Sequence, residues 1–196
     1  MSKLLSILLL YGALFFLPLR TEAADPSFIR DARDEFAFLT GYGITHRGFG
    51  ATRTQVQTFD MIFGYGHFLS SELGDGWYRV RHELLLELPI HMAVDQNNRI
   101  MTGGYILGYW KFTAPREFVP YVFAGGGILY VGLGLPSMGS SLDFSYQGGT
   151  GIQYFIAKDT ALNFEYRYHH VSNANTASPN EPLNSSKILM GISIFR

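Results

Sequence analysis

The chain has 196 residues, the length of one ordinary domain, and it contains no cysteine. It therefore has no disulfide framework, no thiolate nucleophile and no cysteine zinc site. Lys and Arg number 15 against 16 Asp and Glu, a formal net charge of −1, which excludes the strongly basic surface of a nucleic-acid-binding domain. Charged residues make up 16% of the chain, aromatic residues 15%, and 22 residues are glycine, which together favour a β-rich chain with an apolar surface.

The N-terminal segment has the features of a secretory signal peptide. Lys3 supplies a short positive start, and residues 4–17 are almost wholly apolar. Small residues precede a predicted cleavage site after Ala23. The apolar run is shorter than the roughly 20 residues that a spanning helix needs, so an uncleaved anchor is the less favoured alternative. We therefore expect a signal peptide over residues 1–23 and one exported domain over residues 24–196.

Beyond the signal, apolar and polar residues alternate with the period of two that marks β-strands. Clusters of Gly, Asn, Asp and Pro, the residues that turns prefer, separate several of the alternating segments. The clearest polar loop covers residues 173–184. Eight strands are predicted, over residues 34–45, 54–68, 76–92, 98–112, 117–131, 141–157, 160–172 and 185–195.

These strands have one apolar face and one charged face. In the third strand, for example, Leu84 and Leu86 alternate with Glu83 and Glu87. A soluble lipid-carrier barrel turns the apolar face inward, whereas a membrane barrel turns it outward. No helical pattern is available to cover a sheet, the strands reach the ten or so residues that cross a bilayer, and charges of both signs lie close together as in a packed lumen. We predict an all-β fold, an eight-stranded antiparallel transmembrane β-barrel whose interior is filled by side chains.

A histidine and a serine two residues apart close the seventh predicted strand, in the run YHHVSNA at residues 168–174. His170 and Ser172 share a face of the strand, with Cα atoms about 6.5 Å apart. A general base beside a hydroxyl is the minimum for acyl transfer. The same face carries Leu162 and Phe164, so the pair would face lipid at the end of the strand. The alternative is a polar pair at the membrane interface without catalysis.

The run His170-Val171-Ser172-Asn173-Ala174, followed by Pro179-Asn180, resembles the motif of the lipid A 3-O-deacylase family, the outer-membrane PagL enzymes. The resemblance lies mainly in the C-terminal part of the chain, and length, signal peptide and strand count agree with it. It implies a serine esterase that hydrolyses an ester-linked acyl chain of lipopolysaccharide, with Ser172 as nucleophile and His170 as general base. Asn173 and Asn180 would support the oxyanion or hold the loop in place.

The chain departs from this family at the acid that orients the histidine, because the matching position is Asn184. An amide oxygen can accept the imidazole N–H bond and fix its tautomer. It cannot supply the charge that stabilises imidazolium, so slower turnover is expected. Glu181, the nearest carboxylate, could substitute from the loop, although a solvated loop charge is the favoured interpretation. The parity of Asn184 with Ile188 predicts that it lies on the face of the site.

The sequence thus predicts a hydrolase in the outer membrane of a Gram-negative bacterium, with lipid A as substrate and outer-membrane lipids around it. No metal or organic cofactor is implied. The leading alternative is a non-enzymatic barrel with a surface or structural role, and a less favoured one is a soluble periplasmic lipid carrier. The sequence leaves open the acyl position, the chain length, latency in intact membranes and the oligomeric state, a homodimer included.

Overall fold

The computed structural model describes residues 28–95, 99–115 and 118–196, and the predicted signal peptide lies outside them. Within these ranges one short helix precedes eight long strands. They are α1 (Phe28–Asp31), β1 (Asp34–Thr45), β2 (Gln57–Phe68), β3 (Val80–Ala93), β4 (Ile100–Phe112), β5 (Phe118–Val131), β6 (Leu142–Ala157), β7 (Thr160–Ser172) and β8 (Leu183–Phe195). No helix in these ranges has the length and apolar character needed to cross a membrane.

The strands form a closed antiparallel barrel in chain order, because β8 returns to pair with β1. Tyr42 lies opposite Ile188 across this closing pair. Closure removes the free edges of the sheet, so the strands satisfy one another's backbone N–H and C=O groups. Only helices and closed barrels meet that demand in hydrocarbon. The predicted eight-stranded antiparallel β-barrel is confirmed.

Several predicted strand boundaries were wrong, and the second strand begins at Gln57 rather than at residue 54. The third strand does not begin at residue 76, since Gly76–Tyr78 forms a 3-10 turn in which Gly76 has a φ of 60°. That left-handed conformation suits glycine and does not occur in a regular strand. The last strand begins at Leu183, earlier than predicted, because Leu183 and Asn184 pair with β7. Asn184 therefore lies in a strand, and the polar loop is shorter than predicted.

The outside of the barrel is apolar and the inside is charged. On the outer face Leu88 is 55% exposed and Phe164 is 52% exposed. On the inner face the side chains of Glu87, Glu165 and Arg167 are buried. This is the reverse of a soluble lipid carrier, which would bury the apolar face, and it is the arrangement that a bilayer requires.

Ion pairs fill the interior of the barrel. Three clusters of buried charges bridge strands across it: Arg167 with Glu87 and Glu165, Lys111 with Glu35 and Glu83, and Lys187 with Asp60, which also contacts His91. A small barrel packed in this way leaves no wide pore. The lumen is therefore a structural core, and the surfaces left for a functional site are the rim and the outer wall.

Helix α1 closes one end of the barrel. Its Ile29, together with Ala32, packs with Phe155 and Phe195 in an apolar cluster at that end. Arg81 donates hydrogen bonds to the carbonyl oxygens of Ile29 and Ala32 and ties the helix to the barrel wall. Three long loops, residues 46–56, 132–141 and 173–182, lie at the opposite end, where β7 ends and β8 begins, and one of similar length, residues 69–79, lies at the α1 end.

Candidate active site

The predicted catalytic residues lie where three strands meet at the loop end of the barrel. The antiparallel order brings together the end of β7, the start of β8 and the end of β1. Two loops lie over this point. We call residues 46–56, between β1 and β2, the roof loop, and residues 173–182, between β7 and β8, the motif loop.

His170 and Ser172 are in hydrogen-bond contact on the outer face of β7. Nε2 of His170 lies 3.1 Å from Oγ of Ser172. Both side chains are partly exposed and alternate with the buried His169 and Val171, so they project away from the lumen. The spacing predicted from the sequence thus corresponds to a real contact between a base and a hydroxyl.

Asn184 of β8 lies on the other side of the imidazole. Its Oδ1 atom is 2.7 Å from Nδ1 of His170, its partner across the β7–β8 ladder. An amide oxygen only accepts hydrogen bonds, so Nδ1 carries the proton and Nε2 has a free lone pair. That lone pair points at the hydroxyl of Ser172. The imidazole thus has the tautomer that a general base needs.

Asn184 is 4% exposed, and every hydrogen-bonding position of its amide is used. Oδ1 accepts a second hydrogen bond, of 2.6 Å, from the hydroxyl of Tyr168. Nδ2 donates to Oγ1 of Thr52 at 2.8 Å and to the carbonyl oxygen of Phe49 at 3.2 Å. The roof loop thus holds one side of this amide, and β7 holds the other.

Tyr146 of β6 stacks on the imidazole of His170. The ring centroids are 4.2 Å apart and the planes differ by 18°. The two residues are cross-strand partners in the β6–β7 ladder. An aromatic face attracts a cation, so the ring of Tyr146 would offset part of the positive charge that the imidazole takes on if it accepts a proton during a reaction.

Glu181 lies against the roof loop and not beside His170. Its Oε1 atom accepts hydrogen bonds from the backbone amides of Arg53 at 2.8 Å and Thr54 at 2.6 Å. Across the described ranges, no hydrogen bond joins it to His170. Burial alone would raise the pKa of Glu181, but hydrogen bonds from Thr54 and Arg53 outweigh burial and lower the pKa below its ordinary value. Glu181 therefore ties the motif loop to the roof loop.

This tie is expected to depend on pH. Because the pKa of Glu181 is lower in the folded protein, its stabilisation is complete above the ordinary value of 4.5 and is lost as the pH falls through the lowered one. Hydrogen-exchange protection of the Arg53 and Thr54 amides should fall over that acidic range. Glu181→Gln should lower the protection of these two amides roughly tenfold at neutral pH and remove its dependence on acid, because a charge-assisted bond becomes a neutral one. Equal protection in the variant and the wild type at neutral pH would contradict this.

Asn173 and Asn180 hold the motif loop. The backbone amide of Asn173 donates to Oδ1 of Asn180 at 3.0 Å, and its Nδ2 donates to the carbonyls of Ala177 and Pro179, both at 3.1 Å. Nδ2 of Asn180 donates to Oδ1 of Asn175 at 2.9 Å. Of the two roles implied by the resemblance, these bonds match loop support.

One backbone amide near Ser172 remains available. Ala174 has a φ of 51°, in the left-handed region, and within the described parts of the chain its amide makes no hydrogen bond. An unpaired amide two residues after Ser172 is a donor that could meet a negative charge developing there. No group of three or more His, Asp or Glu side chains that could hold a metal ion occurs among the residues described.

Sequence reasoning missed the side chains that surround the dyad. Tyr168 shares the parity of His170 and could have been found from the strand pattern. Tyr146 required the register of β6 against β7. Thr52 and Phe49 required the fold of the roof loop, for which the sequence carries no periodic signal.

Comparison with known proteins gives one family, and the solved structures that resemble the chain include the two described below. The family model described as "Lipid A 3-O-deacylase (PagL)" matches residues 70–193, a range that includes His170, Ser172 and Asn184. The crystal structure of the outer membrane enzyme PagL has 16% identity and a TM-score of 0.55, covering 82% of this chain and 98% of that one. Neisserial surface protein A (NspA) has 15% identity and a TM-score of 0.55, covering 82% and 96%. At these identities the two structures show the fold alone. No curated protein matches the chain.

Proposed function

Because this chain belongs to the PagL family of lipid A 3-O-deacylases, we propose that it hydrolyses an ester-linked acyl chain of lipid A with Ser172 as nucleophile and His170 as general base. The proposal rests on the hydrogen bonds that run from Asn184 through the imidazole to the serine hydroxyl. They give the imidazole the tautomer that accepts a proton at Nε2. A base next to a nucleophile and oriented by a third group is the arrangement of acyl-transfer enzymes.

In the proposed reaction, Nε2 of His170 takes the proton of Ser172 as Oγ attacks the ester carbonyl. The resulting oxyanion receives a hydrogen bond from the amide of Ala174. The intermediate collapses, the ester C–O bond breaks, and the sugar alkoxide leaves with the proton from His170. A water molecule then gives a proton to Nε2 and attacks the acyl-enzyme. The acyl–Oγ bond breaks as Nε2 returns the proton to Oγ, which releases a fatty acid and restores Ser172 and His170.

Asn184 orients the imidazole in this mechanism without lending it charge. A neutral amide stabilises imidazolium less than a carboxylate does, so we expect slower turnover than a carboxylate would give. The stacked ring of Tyr146 supplies part of the missing electrostatic stabilisation. Asn184 is the orienting group in this proposal, because Glu181 is engaged by the roof loop.

The position of the dyad supports a lipid substrate. His170 and Ser172 project from the outer face, which carries exposed apolar side chains such as Phe144 and Phe164. A membrane lipid next to this wall would bring its acyl ester to the rim without entering the barrel. We propose that the protein is exported by the signal peptide of residues 1–23 and acts in the outer membrane of a Gram-negative bacterium, surrounded by its lipids.

The alternative is a barrel without enzymatic activity, and the shared fold of neisserial surface protein A keeps it open. Lipopolysaccharide should be incubated in detergent with and without the refolded protein, and the lipid A then analysed by mass spectrometry. The enzyme should remove one hydroxyacyl mass. A fluorophosphonate probe should label Ser172, because it reacts with activated serines. Identical lipid A spectra and an unlabelled protein would favour the non-enzymatic barrel.

A further inference from the structure

We propose that Thr52 of the roof loop is a positioning residue that selects the orientation of the Asn184 amide and, through it, the tautomer of His170. The inference builds on the proposed function, because it explains how a neutral amide serves the base. Thr52 is 1% exposed and lies against Asn184, although the two are far apart in the sequence. Its role follows from the direction of each hydrogen bond it makes.

The hydroxyl proton of Thr52 is already committed. Oγ1 donates to the carbonyl oxygen of Pro182 at 2.9 Å. A hydroxyl has one proton and two lone pairs, so only acceptor positions remain. Both are used by Asn184, whose backbone amide lies 3.1 Å away and whose Nδ2 lies 2.8 Å away. Thr52 can therefore accept a hydrogen bond from the NH₂ group of the Asn184 side chain. It has no proton left to donate to the oxygen of that side chain.

The carbonyl oxygen of Phe49 is a second acceptor that favours the same orientation of the Asn184 amide. The carbonyl oxygen of Phe49 lies 3.2 Å from Nδ2 of Asn184, and a carbonyl can only accept. The roof side of the amide thus offers two acceptors. The opposite side offers two donors, the hydroxyl of Tyr168 and Nδ1–H of His170, which meet Oδ1.

A flipped amide would disable the base. Oδ1 would then face the acceptors of Thr52 and Phe49, and NH₂ would face the imidazole. His170 would have to offer a lone pair at Nδ1 and carry its proton at Nε2. In that tautomer Nε2 cannot take the proton of Ser172. A carboxylate at position 184 would likewise turn an oxygen toward the carbonyl of Phe49, which is why an amide fits this loop.

The test combines kinetics with a direct measurement of the tautomer. ¹⁵N NMR of the histidine ring in detergent should show the wild-type proton of His170 on Nδ1. Thr52→Val should shift the population toward the Nε2–H tautomer and lower kcat about tenfold with little change in KM, since one neutral hydrogen bond is worth up to about that factor. Thr52→Ser keeps the hydroxyl and should restore both values.

Thr45→Val is the matched control. Thr45 is also a buried threonine at the edge of the roof loop, and among the described residues its hydroxyl bonds only to the backbone at Thr54 and Val56. This variant should keep the wild-type tautomer. A shift of the same size in it would assign the effect to loop stability and overturn the proposal, as would an unchanged tautomer in Thr52→Val.

One further outcome separates this inference from the proposed function. Should the wild type cleave no lipid while Thr52→Val still shifts the tautomer, the positioning role stands and the deacylase proposal falls. Should Thr52→Val fail to fold by circular dichroism, Thr52→Ala and the wild-type spectrum decide. A wild-type His170 with its proton on Nε2 would refute the role of Thr52 outright.

Discussion

Ser172→Ala is expected to lower the deacylation rate by about 10⁴-fold or more, because removing the nucleophile leaves only substrate binding and oxyanion stabilisation. The substitution removes one oxygen atom from a partly exposed side chain at the end of β7, so the barrel should fold and bind lipid as before. The rate is measured by mass spectrometry of lipid A after timed incubation in detergent. Wild-type rates in this variant would exclude Ser172 as nucleophile.

Ser186→Ala is the matched control for that experiment. Ser186 also lies on the outer face, and its Oγ is 2.8 Å from Nε2 of His46 and 2.9 Å from the hydroxyl of Tyr166. In the described part of the chain nothing accepts a hydrogen bond from Nδ1 of His46, so this pair lacks an orienting group. The control should keep near wild-type activity. Equal losses in the two variants would show that the oriented imidazole is not what distinguishes Ser172.

The second large effect is expected on stability, from a substitution in the barrel interior. Arg167→Met should lower the free energy of unfolding by about 3–5 kcal/mol, because it leaves two buried carboxylates without their partner. The guanidinium is fully buried and donates to Glu87 at 2.6 and 2.9 Å and to Glu165 at 2.8 Å. Urea unfolding in detergent, followed by tryptophan fluorescence, measures the loss.

Arg79→Met is the control for the interior experiment. Arg79 lies outside the barrel interior and is 3.7 Å from Glu72, with both side chains partly exposed. An exposed ion pair of this kind contributes at most about 1 kcal/mol. The triple variant with Arg167→Met, Glu87→Gln and Glu165→Gln should recover part of the loss, because no buried charge is then left unpaired. A loss for Arg167→Met no greater than that for Arg79→Met would contradict a stabilising role for the cluster.

The alternation of side chains carried most of what the sequence could predict about the fold. In β3 and β7, apolar residues facing outward alternate with charged residues facing inward, and that pattern is local. The contact between His170 and Ser172 was equally accessible, because two residues on one strand face the same way. The turn at Gly76–Tyr78 was missed, because its sequence continues the apolar pattern of the strand.

The contacts between Asn184 and the roof loop could not be predicted, because barrel closure creates them. Thr52 and Asn184 meet only when β8 pairs with β1 and the roof loop folds back over that pair. The choice between Asn184 and Glu181 as the group that orients His170 also depends on the roof loop. Glu181 and Asn184 follow Ser172 by nine and twelve residues, and only the position of the roof loop shows that Glu181 binds the amides of Arg53 and Thr54.

The density of charges within the barrel also bears on the supply of water to the proposed reaction. The ion pairs of Arg167 with Glu87 and Glu165 lie in the lumen, whereas Ser172 lies on the outer face of β7, so water for the proposed reaction would not come through the barrel. In the proposed reaction, the water that frees the fatty acid would reach Ser172 from the loop end, past the headgroups of neighbouring lipids. Tight packing of those headgroups would then slow the second half of the reaction even when the ester bond is already broken.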